Sequence, residues 1–262
     1  RKRILQDELE REQGRLDDAE QLKASNESKD RLLASVSHEI RTPLTAIVGL
    51  SEEIVASQDG LTPEDIQDLI SIIARQSREL AELVEDLLVA SRADFGNLSI
   101  RPEPVDLIGQ ATRVIEGVRE SHPSAKAISV EGSPVLAWAD PLRVRQIVRN
   151  LLSNAIKYGG EQIEVAVERR GDSVLFSVTD DGPGVAVGES DLIFERYYRA
   201  TDSPTLPGSV GIGLAVSRQL AEMMDGSLEY RAGSPGQFIL TLPVHVDDEA
   251  EPALATPAVA AG

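Results

Sequence analysis

Residues 37–44 read Ser-His-Glu-Ile-Arg-Thr-Pro-Leu, and they lie inside a longer segment, about Ser28 to Ala56, that is rich in helix-forming residues. Apolar residues spaced three or four apart predict one apolar face of an α-helix: Leu33, Val36, Ile40, Leu44 and Ile47. At roughly 100° per residue, His38 points about 200° away from Val36 and again from Ile40. We therefore expect a helix that packs through its apolar face and holds the His38 imidazole in solvent.

Three neighbouring side chains bear on the chemistry of His38. The Glu39 carboxylate can accept a hydrogen bond from one ring nitrogen and leave the other as a nucleophile. Thr42, one turn later, can hydrogen-bond a water or a phosphoryl oxygen near the imidazole. Pro43 should bend or loosen the helix beside it. An exposed helical histidine is by itself usually an ordinary surface residue, so its context decides.

A second helix is predicted after a turn at Gln58-Asp59-Gly60. Thr62-Pro63-Glu64-Asp65 supplies an N-cap hydroxyl, a proline at the first helical position and acids in the first turn. A regular apolar stripe follows at Ile66, Leu69, Ile70, Ile73, Leu80, Leu83, Val84, Leu87 and Leu88. Residues 28–94 thus predict an antiparallel helical hairpin. Because one hairpin cannot bury both of its wide apolar stripes, we expect a homodimer in which two hairpins form a four-helix bundle.

The N-terminal segment, residues 1–27, predicts a short and imperfect coiled coil that acts as a signalling helix. Its apolar seam is Leu5, Leu9, Leu16 and Ala19, with the polar Glu12 between them. A single solvated, charged helix is the alternative interpretation. The chain begins at Arg1 within this pattern, so we expect an upstream sensor domain that is missing from this chain.

A second domain is predicted after a linker over residues 95–104, which contains Phe95-Gly96-Asn97 and Pro102-Glu103-Pro104. In residues 105–246, helical stretches near 107–120, 141–158 and 210–224 alternate with short strands near 127–130, 162–169, 174–179, 227–230 and 238–242. The turn Arg170-Gly171-Asp172 predicts an antiparallel pair. The fold class is therefore α+β, with an α/β sandwich that carries its helices on one face of a mixed sheet. The acidic, Ala/Pro-rich residues 247–262 predict a disordered tail.

The composition argues against several classes of function. Of 262 residues, 41% are hydrophobic and 3% aromatic, which fits two globular domains with aliphatic cores. The formal net charge of −18 repels nucleic acid and anionic membranes, so we expect no nucleic-acid partner. The chain has no cysteine and no apolar run near the ~18 to 20 residues of a membrane span. We expect this portion to be cytoplasmic, and a membrane anchor in the full-length protein stays open.

Two groups of polar residues in the second domain can bind a nucleotide. Asn150, Asn154, Lys157 and Tyr158 lie mostly on one face of a predicted helix. Amide oxygens can ligate Mg²⁺ and a lysine can bind phosphates, although a solvated helix face is the alternative. Asp180-Asp181-Gly182-Pro183-Gly184 follows a strand. A carboxylate there can accept a hydrogen bond from the exocyclic amine of adenine, and glycines allow the backbone to approach a base or ribose closely.

A third, glycine-rich motif, Gly208-Ser209-Val210-Gly211-Ile212-Gly213-Leu214, opens an amphipathic helix. A helix N-terminus offers N–H groups and the positive end of a dipole to a polyphosphate. No Lys-Ser/Thr follows, so the motif is not a Walker loop, and it does not follow a strand as the dinucleotide fingerprint requires.

The octapeptide at residues 37–44 resembles, residue for residue, the phosphoacceptor box of the histidine kinase dimerisation domain. The three later motifs resemble, in order, the N, G1 and G2 boxes of the histidine kinase ATP-binding domain, and Ile193-Phe194-Glu195-Arg196-Tyr197-Tyr198 is similar to the F box. The resemblance implies a sensor histidine kinase of a two-component system, an ATP-dependent protein-histidine kinase. His38 would be the phosphorylated nucleophile and Glu39 its acid/base partner, while Glu39 and Thr42 match the pattern for hydrolysing a partner's phosphoaspartate.

The same resemblance implies roles in binding ATP and Mg²⁺. Asn150 and Asn154 would hold Mg²⁺, Lys157 a phosphate, Tyr158 the adenine and Asp180 the adenine amine. The pocket would be shaped by Gly182, Gly184, Gly208, Gly211, Gly213 and Leu214, under a mobile lid over residues 185–210. Where the family often has Gly-Thr before the last strand, this chain has Gly236-Gln237-Phe238, and Gln237 is the candidate to replace the missing hydroxyl.

The resemblance implies autophosphorylation of His38 followed by transfer to an aspartate on the receiver domain of a response regulator. One rival is a scaffold that binds ATP without transferring phosphate, which the presence of both His38 and Glu39 disfavours. A second rival is a serine/threonine kinase built on the same ATP fold, such as an anti-sigma factor, which would lack the helical hairpin.

Overall fold

The computed structural model describes residues 34, 36–57, 60–94, 96–121, 127–186, 188–196, 198, 211–233 and 235–246. The predicted coiled coil over residues 1–27, the predicted tail over residues 247–262 and Gly208 lie outside the described residues. By its internal contacts the chain divides into two compact units, residues 1–98 with 188–216 and residues 99–187 with 217–262.

The first unit contains the two predicted helices. Helix α1 covers residues 36–56 and continues through Pro43, and α2 runs Pro63–Asp94. The predicted N-cap is confirmed: the Asp65 amide donates to the Thr62 hydroxyl at 3.2 Å, and the Thr62 amide donates to the Asp65 carboxylate at 2.9 Å. The Thr62 amide and the Thr62 hydroxyl, at 2.8 Å, both donate to the Asp65 carboxylate and hold the pKa of Asp65 below its usual range. The reciprocal cap fixes where α2 begins.

The remaining elements form the predicted α+β arrangement. The strands are β1 (Glu103–Asp106), β2 (Ala127–Gly132), β3 (Leu136–Ala139), β4 (Gln162–Arg170), β5 (Ser173–Asp180), β6 (Ser227–Arg231) and β7 (Gly236–Pro243). The helices are α3 (Leu107–Ser121), α4 (Pro141–Tyr158) and α5 (Gly213–Met223), with a short 3₁₀ turn at Leu192–Phe194.

A mixed sheet is confirmed, with the strand order β2-β4-β5-β7-β6. Strands β2 and β4 are parallel, and the other neighbouring pairs are antiparallel. The predicted β4–β5 hairpin turns at Gly171, whose φ of 64° suits a tight turn. Strand β5 lies at the centre of the sheet.

Strands β1 and β3 were not predicted from the sequence. The predicted linker over residues 95–104 overlaps β1, which begins at Glu103 and pairs antiparallel with β3. The prolines suggested a break, but a small two-stranded sheet tolerates Pro104 because the missing N–H removes only one ladder bond. Strand β3 is only four residues long, too short for alternation to stand out.

One face of the main sheet carries the core, which confirms that the helices cover one side. Val165, Val174, Phe176, Val178, Leu240 and Leu242 are fully buried, whereas the alternating residues of β5 and β7 are half-buried. The helices contribute Leu107, Ala111, Ile147 and Leu151 to the buried set.

The start of α4 is fixed by a buried carboxylate. One oxygen of Asp140 accepts from the Leu142 amide at 2.9 Å and the Arg143 amide at 3.3 Å, and Pro141 takes the first helical position. The other oxygen accepts from the Arg101 amide at 3.0 Å. These bonds set the position of the polar residues farther along α4. No helix in the described part of the chain is long and apolar enough to cross a membrane.

Candidate functional site

His38 lies on α1 with 73% of its side chain exposed, which confirms the prediction that it faces solvent. The predicted hydrogen bond to Glu39 is absent in this structure, because His38 Nδ1 and Glu39 Oε1 are 3.9 Å apart. Adjacent positions on a helix point in different directions, so the two side chains diverge. The Glu39 side chain, by contrast, is buried, with only 7% of its surface exposed. Its charge still lies beside the Nδ1 edge of the ring.

Thr42 lies one turn after His38 on the same helix. Its exposed hydroxyl donates to the His38 main-chain oxygen at 3.2 Å. This bond holds the hydroxyl oxygen next to the His38 turn, where its lone pairs can accept from a water. The Thr42 hydroxyl therefore lies against the main chain of His38, one helical turn along α1.

Helix α4 presents the predicted polar face. Asn150, Asn154 and Tyr158 are half-buried and Lys157 is exposed, whereas the same helix buries Val144, Ile147, Val148, Leu151, Leu152 and Ala155. The four polar residues fall within roughly 100° around the helix. They form one surface that carries two amides, an ammonium group and a phenol.

Asn150 is oriented by a residue that the sequence analysis missed. Its amide nitrogen donates to the hydroxyl of Ser217 at 3.1 Å, and Ser217 is completely buried on α5. Since the nitrogen is committed to Ser217, the amide oxygen is the atom that can coordinate a cation. A lone serine after the run Leu214-Ala215-Val216 was the available signal, because a buried hydroxyl needs a partner.

The two acids that end β5 have different roles. Asp180 is half-buried, and its Oδ1 accepts from the Gly182 amide at 3.0 Å. Asp181 is exposed, and its Oδ1 accepts from the Gln162 amide at 2.8 Å, which ties the loop to the start of β4. Gly184 has a φ of 69°, which favours glycine. Asp180 thus lies at the end of β5 with its Oδ1 bonded to the loop that follows.

The end of α4 and the loop after β5 are brought together through glycine. A Cβ on Gly159 would lie 2.8 Å from Asp180 Cβ, and a Cβ on Gly182 would lie 2.7 Å from Gly159 Cα. No side chain fits at either position. Asp180 therefore lies directly beside the C-terminal end of the helix that carries Asn150 and Asn154. Both motifs were predicted from the sequence but Gly159 was not, although the glycine pair Gly159-Gly160 directly follows a polar helix end.

The glycine-rich motif is partly described. Helix α5 begins at Gly213 rather than near residue 210, because Gly211 has a φ of 69° and cannot be a helical residue. Leu214 is half-buried in the first turn of α5. In the segment predicted as a lid, Ile193 and Phe194 are buried, and partial desolvation with a hydrogen bond to Glu189 raises the pKa of Tyr198.

Gln237 does not replace the missing hydroxyl. It is paired with Thr179 in the β5–β7 ladder, and its Nε2 donates to the Thr179 hydroxyl at 3.1 Å. Successive residues of a strand point to opposite faces, so this pair lies on the face of the sheet opposite to Asp180. The expectation that Gln237 would reach the adenine region is wrong for this reason.

Family models match both parts of the chain. A model described as the His Kinase A (phospho-acceptor) domain matches residues 28–96. A model described as the histidine kinase-, DNA gyrase B-, and HSP90-like ATPase matches residues 139–246. The first contains the residue 37–44 octapeptide, and the second contains all three nucleotide motifs.

Individual relatives agree with these matches. The adaptive-response sensory kinase SasA of Thermosynechococcus vestitus is 34% identical over 252 residues, which cover 91% of this chain and 64% of that protein. The histidine-protein kinase/phosphatase MprB of Mycolicibacterium paratuberculosis is 33% identical and covers 82% of this chain and 42% of that protein. The solved Acinetobacter baumannii histidine kinase AdeS is 25% identical, with a TM-score of 0.59 over 80% of this chain and 98% of that one. The chain spans less than two thirds of the length of these curated relatives.

The substitution Gly159→Ala tests the contact between α4 and Asp180. The added methyl would overlap the Ala155 carbonyl and the Asp180 side chain, so the helix end or the acid must move. We expect the free energy of unfolding in urea to fall by about 1–3 kcal/mol, the usual cost of overpacking, and affinity for Mg-ADP to fall with it.

Gly117→Ala is the matched control, because a Cβ at this exposed position in α3 would meet nothing within 4 Å. We expect it to leave nucleotide affinity unchanged and to stabilise the protein by roughly 0.5–1 kcal/mol. A Gly159→Ala protein with the stability and the Mg-ADP affinity of the parent would show that the close approach is not needed.

Proposed function

The chain belongs to the two-component sensor histidine kinase family, and we propose that it transfers the γ-phosphoryl group of ATP to His38 and then to an aspartate on the receiver domain of a response regulator. The observation that carries the proposal is the 73% exposure of His38, on a helix whose neighbouring carboxylate is buried on the Nδ1 side of the ring. An exposed imidazole with a carboxylate at one nitrogen has the other nitrogen available for attack.

In the first step, His38 Nε2 attacks the γ-phosphorus of ATP. An N–P bond forms, the bond from the γ-phosphorus to the bridging oxygen breaks, and ADP leaves with that electron pair. The Nδ1 proton faces the Glu39 carboxylate, which stabilises the positive charge that develops on the ring and can accept the proton. In the second step an aspartate oxygen of the regulator attacks the same phosphorus and the N–P bond breaks, which restores the imidazole.

The polar face of α4 and the loop after β5 are proposed to hold Mg-ATP. Asp180 Oδ2 would accept a hydrogen bond from the adenine amine. Lys157 would contact a phosphate, and Tyr158 would contact the base. The amide oxygen of Asn150, oriented by Ser217, and that of Asn154 suit Mg²⁺, a hard cation that is usually bound by one or two protein oxygens together with phosphates and waters. The ion would neutralise the charge on the phosphates during transfer.

We propose that the chain acts as a homodimer. Six large apolar side chains of α1 and α2 are at least 41% exposed in one copy: Leu44, Val48, Val55, Ile70, Val84 and Leu88. Within each helix, the three exposed residues fall within roughly 40° around the axis. An exposed apolar stripe on each helix supports pairing with a second copy in a four-helix bundle.

We also propose that the same site hydrolyses the phosphoaspartate of the regulator. The exposed Thr42 hydroxyl, held one turn from the imidazole, can accept from and orient the attacking water. Glu39 supplies negative charge on the other side of the ring. The curated relative MprB, whose name includes both kinase and phosphatase, supports this second activity.

Incubation with γ-labelled ATP and Mg²⁺ tests the kinase activity. The parent protein should acquire label that is labile in acid and stable in alkali, the behaviour of a phosphoimidazole. His38→Gln removes the nucleophile, so its label should fall to background, whereas the matched variant His245→Gln should label like the parent. Unchanged label in His38→Gln would refute the assignment of His38.

The phosphatase activity is tested with a receiver domain that accepts label rapidly from this protein and is then isolated in its phosphorylated form. Thr42→Ala removes the water-orienting hydroxyl without harming the helix, and we expect dephosphorylation to slow by about tenfold or more. Thr42→Ser keeps the hydroxyl and should retain most of the rate. Equal rates for the alanine variant and the parent would contradict the role of Thr42.

The dimer is tested by Leu88→Glu, which places a charge in the exposed stripe of α2. Burial of an unpaired carboxylate in the interface is costly, so we expect sedimentation velocity to show a shift from dimer to monomer. Ser71→Glu adds the same charge on α2 about a third of a turn away from the stripe, and it should remain dimeric. A dimeric Leu88→Glu protein would exclude this surface as the interface.

A further inference from the structure

Gly236 stands opposite Asp180 in the β5–β7 ladder, immediately before Gln237, where the chain departs from the Gly-Thr pattern. A Cβ on this buried glycine would overlap the Tyr230 hydroxyl and lie 3.2 Å from Tyr230 Cζ. The space of a side chain at residue 236 is therefore filled by the phenol of Tyr230. A hydroxyl from a neighbouring strand therefore lies directly against the main chain of Gly236.

Tyr230 lies on β6, at the edge of the sheet, and its ring is held by Phe238 on β7. The two residues are paired in the β6–β7 ladder, and their ring centroids are 4.8 Å apart with the planes tilted by 55°. This packing leaves the phenol little freedom. It directs the hydroxyl across β7 toward the end of β5.

The Tyr230 hydroxyl accepts a hydrogen bond from the Val185 amide at 3.1 Å. Gly184 lies against the same oxygen, because a Cβ there would be 3.2 Å from it. Burial raises the pKa of Tyr230, and so does the negative charge of Asp180, although the Val185 amide acts in the opposite direction. The phenol therefore remains neutral and ties the loop after β5 to the edge strand.

The loop that Tyr230 holds also orients Asp180. Gly182 donates its amide to Asp180 Oδ1 at one end of the loop, and Val185 donates its amide to Tyr230 at the other. Between them the main chain is only two residues long. A shift of Val185 would therefore move Gly182 and turn the carboxylate.

We propose that Tyr230 is a positioning residue of the nucleotide site. It fixes the loop of residues 182–185 and, through this loop, the Asp180 carboxylate that accepts a hydrogen bond from the base. The inference rests on the proposed nucleotide-binding function. Because Gly236 on β7 has no side chain, the Tyr230 hydroxyl from β6 can occupy that space.

Titration calorimetry of the full chain with Mg-ADP tests this assignment. Tyr230→Phe removes only the hydroxyl, and we expect Mg-ADP to bind roughly threefold to tenfold more weakly, the size of one net hydrogen bond. Thr179→Val is the matched control, since it removes a hydroxyl that is hydrogen-bonded to Gln237 between β5 and β7, on the face of the sheet opposite to Asp180. Its affinity should stay within about twofold of the parent if only the Asp180 face matters.

A double-variant cycle separates positioning from a general loss of structure. If Tyr230 acts through Asp180, then Tyr230→Phe should change Mg-ADP affinity by less than about twofold when Asp180→Asn is already present. Gly236→Ala should reproduce the weakening by displacing the phenol. The thermal midpoint of the ligand-free Tyr230→Phe protein serves as the check on folding.

The outcomes distinguish this inference from the proposed function. If the parent binds Mg-ADP and Tyr230→Phe binds it equally well, the role of Tyr230 is refuted and the nucleotide site stands. An equal weakening with and without Asp180→Asn would also refute positioning through Asp180. If the parent itself binds no Mg-ADP, the nucleotide-binding function is refuted.

Discussion

The nucleotide-site half of this molecule depends on one steric constraint, the contact of bare main chain at Gly159 with Asp180 at the end of β5. An added Cβ on Gly159 would lie 2.9 Å from the Asp180 carboxyl carbon, so helix and strand end can meet only if the helix ends in glycine. The contact brings the helix that carries the side-chain amides of Asn150 and Asn154 next to the strand end that carries the Asp180 carboxylate. Each motif is ordinary by itself, and it is the approach of the two that makes a site.

The fold was largely predictable because its periodicities are strong. The N-cap at Thr62, the extent of α4 and the β4–β5 hairpin all follow from local patterns that the tertiary structure does not override. Strands β1 and β3 were missed because they pair across a long separation in sequence, which no local pattern indicates. Pro104 signals a break, and nothing near it in the sequence shows that Trp138 lies across from it.

The residues of the candidate site could be proposed from the sequence, but the directions of their side chains could not. Spacing placed His38 in solvent, but it could not give the 3.9 Å separation from Glu39, which follows from the divergence of neighbouring helical side chains. Gln237 was assigned to the wrong face, because the parity of β7 is fixed by its register with β5. Ser217 and Tyr230 were missed because each reaches its partner across a long stretch of sequence.

Strand β5, which ends in Asp180, is bonded along both edges, to β4 on one side and β7 on the other. Its amides can exchange with solvent only when two ladders separate together, so they belong to the slowest-exchanging part of the domain. Asp180, the acid proposed to accept a hydrogen bond from the base, is thus attached to the least deformable element of the sheet. This half of the site exists as a rigid template before any ligand arrives, and binding there costs little ordering of the main chain.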